Sequence, residues 1–270
     1  MPTIAENMSW GTYSWSKAGD EWSQDWGDAT TQWHATILPR IRRFFPAKNV
    51  LEIAPGFGRW SAFLLQDADH YIGVDLNPEC TEACKKRFAN APHATFVSND
   101  GKSLDSVEDG SIDFAFSFDS LVHVEIDILS AYMKELSQKL APNGIAFLHH
   151  SNLGEYDGLS LKLCKQLYSV PQPGPAAKIL RRLQLSDWDR WRAPSVTAER
   201  AAAAATANGL KCVSQEIVNW GHRNMRLIDC FTTLTLPKSK WVRENIVVRN
   251  PQFIKEARSA KAISRLYQSL

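Results

Sequence analysis

Three acidic residues stand where short apolar runs give way to turns. Glu52 lies in Val50-Leu51-Glu52-Ile53-Ala54-Pro55-Gly56-Phe57-Gly58, Asp75 closes Tyr71-Ile72-Gly73-Val74-Asp75, and Asp100 follows Thr95-Phe96-Val97-Ser98-Asn99. Glycines in the first turn let the backbone approach a ligand closely. The start of the next helix exposes N–H groups suited to a carboxylate or a phosphate. A dinucleotide fingerprint would need three glycines, but here Ala54 holds the first position and Ser61 the third. Glu52 would repel a pyrophosphate and attract an ammonium, and a group with both a carboxylate and an ammonium is an amino acid. Asp75 is placed to bond ribose hydroxyls, and Asn99-Asp100 to reach an adenine edge, all at the carboxyl ends of successive strands.

A second set of residues has the chemistry of proton removal. Asp119, His123 and Glu125 follow a fourth strand, and His149, His150 and Asn152 follow a fifth. Adjacent strand residues point to opposite faces, so His149 and His150 cannot share one pocket. Imidazole titrates nearest neutrality, which makes His123, His149 or His150, with Asp119 as a partner, the expected general base.

Alternating elements must position these residues. Strands are expected at 49–54, 71–75, 95–98, 112–118 and 145–149, with helices over 58–66, 79–90 and 126–140 between them. Leu129, Tyr132, Met133, Leu136 and Leu140 form one helix face. Such alternation implies a doubly wound α/β fold with a mostly parallel, seven-stranded sheet. Trp33, Ile37, Ile41 and Phe44 predict an earlier helix over 30–45. Pro142-Asn143-Gly144 reads as a turn, 197–208 as an Ala-rich helix, and 210–220 with 229–236 as an antiparallel pair.

The stretch 48–150 resembles the class I S-adenosylmethionine (SAM)-dependent methyltransferases. VLEIAPGFG is similar to that family's first motif, with Glu52, Gly56 and Gly58 in place and Ala54 where glycine is usual. YIGVDL resembles the second motif, with Asp75 and Leu76. SNDG resembles the third, with Asn99 and Asp100, and DFAFSFDSLVHV the fourth, which adds Ser117 and Phe118. The resemblance implies SAM as cofactor, S-adenosylhomocysteine (SAH) as product, and these residues as its binding site. FSFDSLVHVE, HHSN and the Trp-rich start look like bacterial methyltransferases of sugar hydroxyls, which implies a glycan, glycolipid or glycosylated product as acceptor. A phenol or other metabolite is the alternative acceptor, and a non-catalytic SAM-fold subunit the alternative of another class. Some sugar methyltransferases of this superfamily hold a divalent ion with acids after these strands. Here Asp119, Asn152, Glu155 and Asp157 are the available groups, His149 and His150 replace expected acids, and no metal is favoured.

Five of the ten tryptophans (Trp10, Trp15, Trp22, Trp26 and Trp33) lie in the first 33 residues. Their rings suit a sugar's C–H face or a planar ring, so residues 1–46 and an insertion at 151–196 are expected to cover the acceptor. Trp10, Trp15, Trp22, Trp26 and Asn152 are the candidate contacts. The domain itself is expected over 47–237, with a basic helical tail at 238–270 that suits internal packing or a homodimer. The net charge of +2 in 270 residues gives no bulk attraction for nucleic acid. No apolar run is long enough to span a membrane. Five cysteines without a C-x-x-C pair suit a reduced, cytoplasmic protein.

Overall fold

The computed structural model describes residues 7–8, 13–156, 192–220 and 226–268. Trp10, Asp157 and most of the 151–196 insertion, including Asp187 to Trp191, lie outside the described residues.

The strands are β1 (Ala47–Ile53), β2 (Ala68–Asp75), β3 (Ala94–Ser98), β4 (Ile112–Ser117), β5 (Leu140–Ser151), β6 (Lys211–Val218), β7 (Asp229–Thr235) and β8 (Ile246–Asn250). They form one sheet in the order β3-β2-β1-β4-β5-β7-β6-β8. β1 to β5 run parallel, and β7 is antiparallel to both β5 and β6. Among the described residues the sheet has eight strands, not seven. The eighth comes from the tail expected to be helical, where Ile246 to Asn250 adds beside β6. The chain runs outward from β1 to β2 and β3, then returns to β4 on its other side. Open α/β sheets form their crevice at such a reversal.

The helices are α1 (Ala29–Gln32), α2 (Leu38–Ile41), α3 (Ser61–Leu64), α4 (Pro78–Arg87), α5 (Ile126–Lys139), α6 (Ala198–Ala207) and α7 (Phe253–Gln268). A π-helical segment at Trp33–Ile37 joins α1 to α2 and ends where the Leu38 N–H reaches back to Trp33 O. It immediately precedes the turn containing Pro39, which has no N–H to give a regular ladder. The region following β1 holds only one helical turn, α3, because residues 54–60 are consumed by a glycine-bearing loop.

Each strand of the centre feeds two cores, as the period of two requires. Phe114, Phe116 and Phe147 pack on one side with Trp26, Trp33, Trp60, Phe231 and Phe253. Ala115, Ala146 and Leu148 pack on the other with Leu129, Met133, Leu136 of α5 and Ala201, Ala205 of α6. Residues 142–144 are no free turn: they lie inside β5, where the pairing to β4 shifts register. A Cβ on Gly144 would meet Ile112 O at 2.3 Å, so close backbone approach demands glycine there.

Candidate functional site

The loop after β1 is shaped by three left-handed residues, Ala54 (φ 58°), Gly56 (φ 57°) and Gly58 (φ 81°). The Ala54 N–H donates to Val74 O at 2.7 Å, and the Gly56 N–H to Asp75 Oδ2 at 2.9 Å. Gly56 and Gly58 serve different neighbours. A Cβ at Gly56 would meet the Trp15 ring at 3.2 Å on the cavity side, whereas one at Gly58 would meet Phe88 Cε2 at 2.5 Å. Gly58 therefore seats the loop against the end of α4, and it does not line the cavity.

A cavity of about 290 Å³ opens over this loop. Its β1–β2 end is lined by Ala54, Gly56, Asp75, Leu76, Asn77, Gly101 and Tyr132. Asp75 takes the N–H groups of Gly56 and Asn77 at 2.9 Å each. Burial raises its pKa even though those N–H groups favour the carboxylate. Asn77 Oδ1 is buried and has no hydrogen-bond partner. An orphaned acceptor beside a carboxylate, at the end of a cradle that side chains would fill, fits a hydroxyl- and amine-bearing ligand such as SAM.

Four further residues expected to touch that ligand do not line the cavity. Glu52 lies beneath the loop, where its Oε2 accepts from Ser61 Oγ at 2.6 Å and Tyr71 OH at 2.5 Å. Burial pushes its pKa up to about 7, although both hydroxyls favour the anion. It braces the loop from below and does not line the cavity. Asn99 and Asp100 close their own turn. Asn99 Nδ2 donates to Ser103 O at 2.7 Å and Tyr132 OH at 3.1 Å, and Asp100 Oδ1 accepts the N–H groups of Lys102 and Ser103. Of this turn, Gly101 lines the cavity, and Asn99 meets it through Tyr132. Ser117 is fully buried inside β4.

The opposite end is formed by the loop after β4 and by aromatic rings. Phe118, Asp119, Ser120, Leu121 and His123 line it, faced by Arg59, Trp60, Arg192 and Trp220. Trp15 and Trp22 line the cavity from the N-terminal arm, with Trp15 stacked on Phe57 at 4.9 Å beside Gly56. Ser120 Oγ donates to Ala54 O at 3.0 Å and ties the two loops together. Asp119 Oδ2 accepts from Arg59 Nη2 at 3.0 Å, and the Arg59 guanidinium lies 4.4 Å over the Trp60 ring.

Of the three histidines, His123 alone lines the cavity. His149 is wholly buried among Phe118, Trp220 and Phe231, with Nδ1 accepting the Asp119 N–H at 3.0 Å. His150 points to the other face, as strand alternation requires, and its ring nitrogens meet Ser151 O and Thr232 Oγ1. Burial pulls its pKa down to about 4. Two expected acceptor contacts are also committed to the interior. Trp26 gives its N–H to Thr36 at 2.6 Å. Asn152 gives its amide to Leu227 O and Glu155 and takes the N–H of Ala198, the first residue of α6. Glu155 is engaged by Arg249 and Asn152, and no group of three metal-ligating side chains gathers among the described residues.

Sequence reasoning passed over Arg59, Trp60, Trp220, Asp229 and Arg192. Arg59 adjoins the last glycine of the first motif, which was the one signal available. Arg192 ends the run 187–192, which reads more readily as a solvated ion-pair face than as a binding site.

A class I fold with a cavity at its β1/β4 reversal, a glycine loop and a buried acid at the end of β2 defines a SAM-dependent methyltransferase. Residues 50–144 match the family described as a methyltransferase domain, and the chain is an enzyme of this class with SAM as its cofactor. No curated protein matches the chain. Among solved structures, a SAM-dependent methyltransferase from Methanosarcina mazei is 17% identical, with 73% of this chain and 97% of that one aligned at a TM-score of 0.54. The magnesium protoporphyrin IX methyltransferase of Synechocystis, solved with bound SAH, is 16% identical over 83% of this chain and 88% of its own, at 0.51. A methyltransferase complexed with the Trm112 activator of Haloferax volcanii is 15% identical over 86% and 98%, at 0.54. These likenesses establish the fold. Among the described residues, no helix is long and apolar enough to cross a membrane.

Proposed function

We propose that this enzyme methylates a hydroxyl of a saccharide-like small acceptor, with His123 as the general base. SAM, when bound, would supply a methyl carbon open to attack by an oxygen nucleophile, with SAH as the leaving group. The chain's own part is to bind, align and deprotonate. Asp75 and Asn77 offer acceptors to hydroxyls and an amine, and the Gly56 loop gives them room. Trp60 and Trp220 at the far end, with Trp15 and Trp22 of the N-terminal arm, wall the cavity with aromatic faces that suit the apolar C–H side of a sugar. Between the rings, Asp119 and Arg59 set a hydrogen-bond acceptor beside a donor, which is what two neighbouring hydroxyls require.

The observation that carries the base assignment is the separation of the histidines. His149 and His150 are each 0% exposed and do not line this cavity, whereas His123 lines the space between the two loops. An imidazole that reaches the acceptor takes its proton as the methyl group transfers. The test is transfer of labelled methyl from SAM to panels of methyl glycosides and phenols, with and without EDTA, by the wild type and by His123→Ala and Asp75→Ala. Transfer to a glycoside, on the order of a hundredfold slower in His123→Ala and unaffected by EDTA, supports the proposal. Transfer to phenols alone, or full activity of His123→Ala, overturns it.

A further inference from the structure

We propose that His149 and Asp229, closed by Arg192, form a positioning ring that holds the Asp119 carboxylate at the acceptor end of the cavity. The proposal rests on the reading that this end receives the acceptor. Asp119 has φ 63°, a left-handed conformation that side-chain-bearing residues disfavour. Something outside its own backbone must hold it there. Its N–H is taken by His149 Nδ1 at 3.0 Å. That bond puts the neutral ring's proton on Nε2, which stands 3.1 Å from Asp229 Oδ2 in a close contact that is not a well-aligned hydrogen bond. Asp229, the first residue of β7, is gripped by Arg192 Nε and Nη2, both at 2.8 Å. Burial alone would raise the Asp229 pKa, but the Arg192 guanidinium outweighs it and holds the carboxyl well below the usual range. Arg192 Nη2 then returns to within 3.9 Å of Asp119 Oδ1. The path closes on the residue where it began.

Two features make this more than packing. Buried ion pairs are costly to desolvate and can often be replaced by apolar groups without loss of stability, so stability is a poor account of two carboxylates and an arginine here. His149 is also sealed from the cavity and presents Nδ1 to a backbone N–H. Its polar link to the acceptor end therefore runs through Asp119, beside its packing against the Phe118 and Trp220 rings. A strained residue held by a rigid buried partner is how a reactive end keeps its geometry before a ligand arrives.

The experiment uses the full chain, with His149→Leu, His149→Asn, Asp119→Asn and the double variant His149→Leu with Asp119→Asn. His149→Asn keeps an acceptor near the place of Nδ1, whereas His149→Leu removes it. Each variant is melted to confirm folding, SAH affinity is read by calorimetry, and kcat and KM are measured for the best methyl glycoside. The ring requires that His149→Leu lower kcat/KM by on the order of tenfold or more, since small misplacements are expensive, while SAH affinity stays within about twofold. His149→Asn recovers most of the loss, and the double variant is no worse than Asp119→Asn, because residues acting through one another are not additive. Full activity of His149→Leu, a matching loss of SAH affinity, or losses that multiply in the double variant would overturn the ring. If the wild type binds SAH but methylates no glycoside, the sugar reading fails and hydrogen exchange of the Asp119 amide decides the ring on its own. Exchange about tenfold or more faster in His149→Leu than in the wild type and His149→Asn sustains it; equal exchange in all three refutes it.

Discussion

The two ends of the cavity are built differently. At the β1–β2 end, short-range backbone geometry does the positioning: Gly56 and Asp75 are 19 residues apart, and Glu52 and Ser61 only 9. At the β4–β5 end, side chains meet from afar: Arg59 and Asp119 are 60 residues apart, and Arg192 and Asp229 37. The first end relies on hydrogen bonds to a turn. The second relies on buried charges that hold one another. A turn is written in consecutive residues, whereas a charge network is written only in the fold.

The contrast is broken most sharply at Arg192. Arg192→Leu leaves Asp229 buried without its bidentate partner, and such orphaned charges cost about 3–5 kcal/mol. Urea unfolding is expected to register a loss of that size. Where the variant is still folded, SAH affinity should remain close to that of the wild type, because the β1–β2 end keeps its own supports. Loss of SAH affinity in folded protein would show that the two ends are one device.

A pH titration separates the two ends from beneath. Burial raises Glu52, under the first loop, from 4.5 to about 7. The folded chain there holds a proton that the unfolded chain has released, so stability falls as pH rises from about 4.5 to about 7. Burial lowers His150, behind the second end, from 6.5 to about 4. Here the unfolded chain takes the extra proton, so stability falls as pH drops from about 6.5 to about 4. Each contribution is on the order of 3 kcal/mol, and over most of this range they oppose each other. Glu52→Gln removes one side of the balance. Its urea midpoint is expected to fall steeply between pH 6.5 and 4.5 relative to the wild type. An unchanged slope would mean that Glu52 is ionised in the folded protein.

The largest effect on binding belongs to Asp75. It receives two backbone N–H groups and lines the cavity, and hydrogen bonds to a charged group are worth about 1.5–3 kcal/mol each. Asp75→Ala should weaken SAH by on the order of a hundredfold in calorimetry, with a smaller change in melting. A change below about threefold would remove Asp75 from the binding site.

These unequal constructions also decide what was legible. The doubly wound order, the glycine loop, Asp75 and the five parallel strands follow from runs of residues that carry their own periodicity and turn signals. β8 was missed because Ile246-Val247-Val248 sits in a charged tail and is about half exposed on the edge of the sheet. A strand-end position implies that Glu52 and Asp100 point into the crevice, but other groups claim both side chains. Ser61 and Tyr71 draw the first inward, and the turn at Lys102 and Ser103 draws the second aside. His149 and His150 were correctly set on opposite faces, but nothing local reveals that Phe118, Trp220 and Phe231 seal one of them. Asp229 opens a strand whose β-branched residues signal only its secondary structure.

The smallest prediction tests whether the first end is as locally determined as the comparison holds. Ala54 occupies a left-handed position, φ 58°, where the resembling motif has glycine. A left-handed residue with a Cβ costs about 1–2 kcal/mol relative to a right-handed one, and glycine avoids that cost. Glycine also adds freedom to the unfolded chain, which takes back about 0.4–1 kcal/mol. If backbone conformation alone governs this loop, Ala54→Gly stabilises the protein by about 0.5 kcal/mol and leaves SAH affinity unchanged. The Ala54 methyl, however, is also packed against the β1–α5 core. A variant less stable than the wild type would show that this contact outweighs the strain, and that the departure from glycine at residue 54 is compensated by packing.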